Sequence, residues 1–507
     1  MSEQTHKEPL FFENTTKNFI YLKAYSRHFY VMAIVISLVA LLGHIINYSF
    51  HHESIDLYRI SAGLSLFAAL IPFSTNLFLD NDKYWLLPWT IFIASLGMFI
   101  FLEQTFGEYL FSFEINQEKR RFYSIIFVSF SVFAQLLILL PTFHIWLEPK
   151  SFNFRPLKRF WSELDDVIPL PVWIPYISIS LLFIKPLLFS GGNFQLIFQE
   201  FLLSRTSQAA WETTGFIGGT ALSLFKPLEM LGGMTPIISL LSYKVGRIKW
   251  LLIPNAIWLA LTFLNGTRFV FVNLFFTIIL YRVVIWGFSI KKALPILVIC
   301  TTLLLGILAA QFQVRQVGLV SLDENKLLVE SKKNFTDSSG FHLFSLFIRA
   351  TDFAETRRLG YGQGLLFFLV HPIPRFLWPS KPMPVVIDYA IWEGNDPLAE
   401  AQFGGYPRVN LTPLVFSEFF FEYNILGIFL VLPFYLLLCI IINSLFADDR
   451  NNNIKVICWA ILAGCFMMMM RGLFVFTLYT TRMVVLIIGI YLFSRTIKIV
   501  NSFTKKT

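Results

Sequence analysis

FYVMAIVISLVALLGHIINYSF, residues 29–50, contains no Asp, Glu, Lys or Arg. A helix rises about 1.5 Å per residue, so a run of this length spans the roughly 30 Å hydrocarbon core of a bilayer. Inside lipid the backbone must satisfy its own hydrogen bonds, so such a run must be helical. Comparable runs follow at about 60–79, 84–103, 122–146, 171–190, 214–242, 250–264, 268–289, 293–313, 412–446, 454–474 and 476–496. The expected fold is therefore an all-α polytopic membrane protein of about twelve transmembrane helices. Composition agrees: 56% hydrophobic, 14% charged residues and a mean hydropathy of +0.63 are too oily for a soluble globule. Pro227, Pro236 and Gly232-Gly233 predict a broken helix in the sixth run.

Cys300, Cys439, Cys458 and Cys465 all lie in apolar runs without metal-ligand spacing and read as packing residues. The net charge of +9 is scattered through short loops, as orientation signals are, and does not point to nucleic acid. Residues 1–28 lack the apolar core and cleavage pattern of a signal peptide and read as a cytoplasmic tail. Basic residues gather at 150–159, at 243–249, at Lys291-Lys292 and in the tail 497–507. Assigning these to the cytoplasm puts both termini inside. It also places Glu118-Lys119-Arg120-Arg121 outside, offset by Glu103, Glu108 and Glu114. A bundle of about nine helices (29–313) is thus expected, then a large external loop (314–411), then three C-terminal helices (412–496).

A connection as long as 314–411 is expected to form a binding loop or lid. In FHLFSLFIRATDFAETRR (341–358), Phe341, Phe344, Ser345 and Ile348 share one helical face, a pattern suited to lying on the membrane surface. GLLFFLVHPIP (364–374) is too short to span and should dip into the interface and return. It leads into HPIPRFLWPSKP (371–382), whose prolines stiffen the backbone and hold Arg375, Trp378 and Lys381 on one strip. A guanidinium recognises phosphate and an indole stacks on a sugar ring or rests at headgroup level. The same residues also suit a plain interfacial anchor.

The string IPRFLWPSKP resembles the PR-x-x-W-P-x-KP signature of the Wzy-type oligosaccharide repeat-unit polymerases. SEFFFEYNILG (417–427) is similar to that family's Gly-Glu-aromatic-Asn-Phe-Gly pattern. The resemblance implies a GT-C-like fold with one large periplasmic loop, in the bacterial inner membrane. It further implies glycosyl transfer at the periplasmic face, in which undecaprenyl-pyrophosphate-linked repeat units are joined into O-antigen, common-antigen or capsular polysaccharide. Membrane lipids and a chain-length-determining co-polymerase would be its partners.

The departing pyrophosphate gathers negative charge that fixed cations or a metal must meet. No Asp-x-Asp pair lies on the external side, so arginines and no metal or other cofactor are expected. In MMMMRGLFVFTLYTTRM (467–483), Arg471 and Arg482 interrupt apolar sequence. An arginine at the bilayer centre costs about 2.5–3.5 kcal/mol on insertion scales and so suggests function. With Arg375 and Arg471 as catalytic cations, Arg482, Arg268, Arg349 and Lys381 complete the positive set. Glu418 and Glu422, at i and i+4, lie on nearly one helix face. There, Glu418 is expected to open a long apolar helix at its outward end and take the acceptor proton. Trp378, Glu422, Asn424, His371 and Asp352 fill the binding set, with His371 and Asp352 as reserve bases. Two rival functions remain open: a transporter or flippase of lipid-linked glycans, and an O-antigen-ligase-like transferase.

Overall fold

In the computed structural model the described residues are 11–49, 55–79, 81–106, 117–149, 173–189, 248–264, 268–286, 343–355, 360–370, 415–447 and 452–469, with isolated positions elsewhere. Among them every regular element is a helix. Four helices form the first unit: α1 (Phe11–Ser49), α2 (Ile55–Phe78), α3 (Leu87–Phe106) and α4 (Gln117–Leu139). Helix α1 lies against α2 and α4, and α3 against both as well.

On α1 the packing face inverts the pattern of a soluble protein. On α1 the buried residues include Ser26, Tyr30, Ala33, Ser37, Ala40, His44 and Asn47, while Val31, Val35, Leu38, Val39 and Leu42 are exposed. Lipid is as apolar as leucine, so burying leucine between helices gains little there. Small residues that admit close approach and polar groups that bond across do the joining. A methyl on Gly43 would overlap Ser61, and one on Gly97 would overlap Ala69. Gln135 of α4 bonds to Ser37 of α1 at 3.0 Å, and Tyr30 donates to Asn76 of α2 at 3.1 Å.

Five described helices are long and apolar enough to cross a membrane: Ser26–Ser49, Leu57–Phe78, Asp82–Phe101, Gln117–Leu139 and Ile425–Phe446. Three shorter ones, Trp250–Phe263, Phe271–Ile285 and Ile454–Phe466, are also apolar. The chain is thus a polytopic helical membrane protein. The expected runs 214–242, 293–313 and 476–496 lie outside the described residues except for single positions.

Two expected runs are not single helices. The run 122–146 breaks at Leu140, which is extended (φ −80°, ψ 123°), and restarts at Pro141 as the short α5 (Pro141–Leu147). Proline has no N–H to give and fits the first helical position. The run 412–446 reverses at Asn424, dividing into α11 (Val415–Tyr423) and α12 (Ile425–Phe446). Were it continuous, Phe419 and Phe434 would be about 22 Å apart, whereas their ring centroids are 5.2 Å apart. Between α5 and α11 come α6 (Trp173–Phe189), α7 (Ile248–Leu264), α8 (Arg268–Trp286), α9 (Leu343–Glu355) and α10 (Gln363–Val370), and α13 (Asn453–Met469) follows. Helix α6 packs on α7, and α8 on α13.

One end of the bundle is tied by Asn443 of α12. Its amide donates to the carbonyls of Trp85 (2.8 Å) and Leu147 (3.1 Å), and its oxygen accepts from the Trp459 indole (3.0 Å). The opposite end carries Lys119, paired at 2.6 Å with Asp352 of α9. Helix α9 was expected to lie flat on the surface. Instead it is sunk into the bundle antiparallel to α4, with Phe347 against Tyr123 and Phe127 while Asp352 reaches Lys119. Its buried face is Phe347, Ile348, Ala350, Thr351 and Phe353. An amphipathic stripe fits a protein groove as well as a membrane surface.

Candidate functional site at the Lys119 end

Helix α11 is a half-helix that rises inside the bundle toward the Lys119 end. Phe416 sits against Phe127 and Phe130, and Phe420 one turn later against Tyr123. At the top the chain reverses through Asn424, whose φ of 55° with ψ of −144° is a positive-φ conformation that favours glycine. Its side chain accepts from the Ile425 amide at 2.8 Å and so caps α12. A Cβ on Gly427 would overlap the Phe419 carbonyl, so only glycine lets the two arms close.

Glu422 sits just before this reversal, 3% exposed. Its carboxylate accepts three backbone amides from the start of α10: Gly362 (2.5 Å) and Gln363 (2.8 Å) on Oε2, and Gly364 (2.7 Å) on Oε1. In return the amides of Gly360 and Tyr361 donate to the carbonyls of Phe421 (2.9 Å) and Glu422 (3.2 Å), closing the end of α11. Each helix caps the other: the carboxylate meets the positive end of α10, and the loop meets the negative end of α11. The glycines leave room for the carboxylate: a Cβ on Gly360 would lie 2.5 Å from Oε2, so the carboxylate would have to shift, and one on Gly364 would crowd Oε1 at 3.0 Å. Gly362 has φ +95° and Tyr361 φ 48°. This gives Glu422 a structural task.

Glu418 lies one turn earlier on the same face, 7% exposed. It is not at the outward opening of a long helix. Judged against Tyr123 and Phe127, it is about 10 Å below the first residue of α4. Ser417 beside it is fully buried, and its hydroxyl has no hydrogen-bond partner. From Glu422, α10 runs back down the hairpin, bringing Phe368 within 6.2 Å of Phe434.

Of the other expected site residues, Asp352 pairs with Lys119. Trp378 is half-buried and its indole donates to Ser380 at 3.1 Å. Arg268 opens α8 and Arg349 lies in α9. The remaining candidates, Arg375, Arg471, Arg482, Lys381 and His371, lie outside the described residues. Among the described residues no three His, Cys, Asp or Glu side chains gather as metal ligands. Two features went unread in the sequence: the Gly360-Tyr-Gly-Gln-Gly364 cradle, signalled only by its alternating glycines, and the Lys119–Asp352 pair, which nothing local announces. No family model, curated protein or solved structure matches this chain.

Proposed function

We propose that the chain is a GT-C-like membrane glycosyltransferase that polymerises undecaprenyl-pyrophosphate-linked repeat units at the periplasmic face of a bacterial inner membrane. The observation that carries this reading is Glu418: a carboxylate buried deep in an apolar bundle, on a half-helix held in place by the Glu422 cradle. Ionisable groups at such depth are expensive and are kept for function. The resemblance of IPRFLWPSKP and SEFFFEYNILG to the Wzy-type polymerases names the chemistry. In this reading Glu418 takes the proton from the acceptor hydroxyl as that oxygen bonds to the donor's anomeric carbon. The bond from that carbon to the pyrophosphate breaks, and arginines from 375, 471 and 482 meet the departing charge. About twelve spans, both termini in the cytoplasm and a periplasmic 314–411 loop belong to the same proposal. The Lys119–Asp352 pair supports it by joining two loops assigned to one side.

Purified protein supplied with lipid-pyrophosphate-linked repeat units, and with neither flippase nor ATP, is expected to yield a ladder of longer glycans. Glu418→Gln is expected to cut extension about 100-fold or more, the scale of a lost general base. Intact substrate, translocated in proteoliposomes but never lengthened, would instead make the protein a transporter. Full turnover in Glu418→Gln would remove the carboxylate from the mechanism.

A further inference from the structure

Tyr361 stands in the loop that caps α11, and its φ of 48° is a conformation that bulky side chains rarely adopt. Glycines flank it on both sides. The cradle uses its backbone: the Tyr361 amide donates to the Glu422 carbonyl at 3.2 Å, between the Gly360 amide on the Phe421 carbonyl and the Gly362 amide on Glu422 Oε2. None of these bonds needs a side chain, and glycine would take the same backbone without strain. Nor does the ring pack. It is 76% exposed, more than any other large apolar side chain among the described residues, and no described residue bonds to its hydroxyl or stacks on it.

Strain that the fold does not require is found where function uses it. Glu422 is four residues beyond Glu418, a rise of about 6 Å along α11. Tyr361, bonded to the Glu422 carbonyl, therefore roots its ring about one sugar-ring width past the Glu418 carboxylate, at the open end of the hairpin. The cradle fixes the backbone beneath it, and a tyrosine has few torsions to order, so a ligand meets a preformed platform. A phenol ring can stack on the apolar face of a pyranose while its hydroxyl bonds a sugar hydroxyl.

We propose that Tyr361 binds glycan: its ring stacks on one sugar of the lipid-linked repeat unit and holds the neighbouring sugar toward Glu418. The choice of ligand rests on the polymerase reading, whereas the strained and exposed ring does not.

The full chain in lipid discs is given lipid-pyrophosphate-linked repeat units purified from the producing cells. In parallel, the oligosaccharide released from them by mild acid is tested for binding by saturation-transfer NMR. Tyr361→Gly is expected to raise KM about tenfold, the scale of one stacking contact, with a smaller change in kcat. Its unfolding midpoint should hold or rise, because glycine accepts the positive φ. Tyr361→Trp, which offers another ring, should restore most of the lost affinity. An unchanged KM in Tyr361→Gly, while wild type lengthens glycans, overturns the assignment and leaves the polymerase standing. Oligosaccharide bound by wild type and lost in Tyr361→Gly, with no lengthening by either, keeps the assignment and removes the polymerase. Wild type that neither binds nor lengthens removes both. A midpoint lowered by Tyr361→Gly, with a loss that tryptophan does not restore, makes the ring part of the fold. A midpoint lowered in discs but not in detergent, with KM unchanged, makes it a membrane anchor. Either result overturns the proposal.

Discussion

At the scale of single residues, the firmest consequence concerns Glu422. Its two oxygens take three backbone amides in a site from which water is excluded. Glutamine keeps the shape but replaces one oxygen with an NH2 group, which meets an amide donor with another donor. Bonds to charged acceptors are each worth about 1.5–3 kcal/mol, and an orphaned buried donor costs about 1–3 kcal/mol. Glu422→Gln is therefore expected to destabilise the protein by about 2–4 kcal/mol, read as a lower unfolding midpoint in detergent. Gly360→Ala should act in the same direction, because its methyl would press on the same carboxylate. Unchanged midpoints in both would mean that the cradle does not hold α10 to α11. The sequence flagged Glu418 and Glu422 alike, as charges in an apolar run. It made Glu418 the base and placed Glu422 in the binding set, but could not show Glu422 as a cap, since the glycine loop that holds it lies some sixty residues upstream.

At the scale of elements, the reversal at Asn424 decides where Glu418 sits. Hydropathy runs uninterrupted through Tyr423-Asn-Ile-Leu, so the stretch reads as one span. The signals against that are a residue tolerant of positive φ and a glycine three residues later, where the arms touch. Such signals are too common to carry weight alone. The same holds for α9, whose stripe says that one face is covered but not by what. Helices α1 to α4 were legible because length and apolarity suffice for a simple crossing. The turn can be tested by backbone preference. Asn424→Gly suits this positive-φ backbone better than asparagine does and loses only the Ile425 cap, so a change within about 1 kcal/mol is expected. Asn424→Val is β-branched and strained at φ 55°, so it should cost about 1–3 kcal/mol more. Glycan extension should fall with it as Glu418 is displaced. Equal behaviour of the two variants would argue that the reversal is not set at this residue.

At the scale of the whole molecule, contacts sort the described loops into two ends without reference to charge. Lys119, Asp352 and the Glu422 cradle share one end, while Asn443 gathers the turn at Asn81–Leu86, helix α5 and α13 at the other. The basic-loop argument assigned the first end to the outside even though Lys119-Arg120-Arg121 counts against it. The structure supplies a reason for that exception: Lys119 is matched by Asp352, and Arg120 is buried over Tyr58, so neither acts as a free surface charge. The arrangement makes a prediction that needs no substrate. Cys439, Cys458 and Cys465 are buried, so with Cys300 replaced by serine a cysteine introduced at an exposed site should report its side alone. Asp352→Cys and Glu118→Cys are expected to react with a membrane-impermeant maleimide from the same side, and Asp82→Cys, exposed beside the Asn443 end, only from the other. In intact cells whose outer membrane has been made permeable, the first two should label and the third should not. Labelling of all three from one side would contradict the antiparallel bundle itself. Labelling of Asp82→Cys alone would leave the bundle intact but turn it over, moving Glu418 to the cytoplasmic half and removing the proposed periplasmic chemistry.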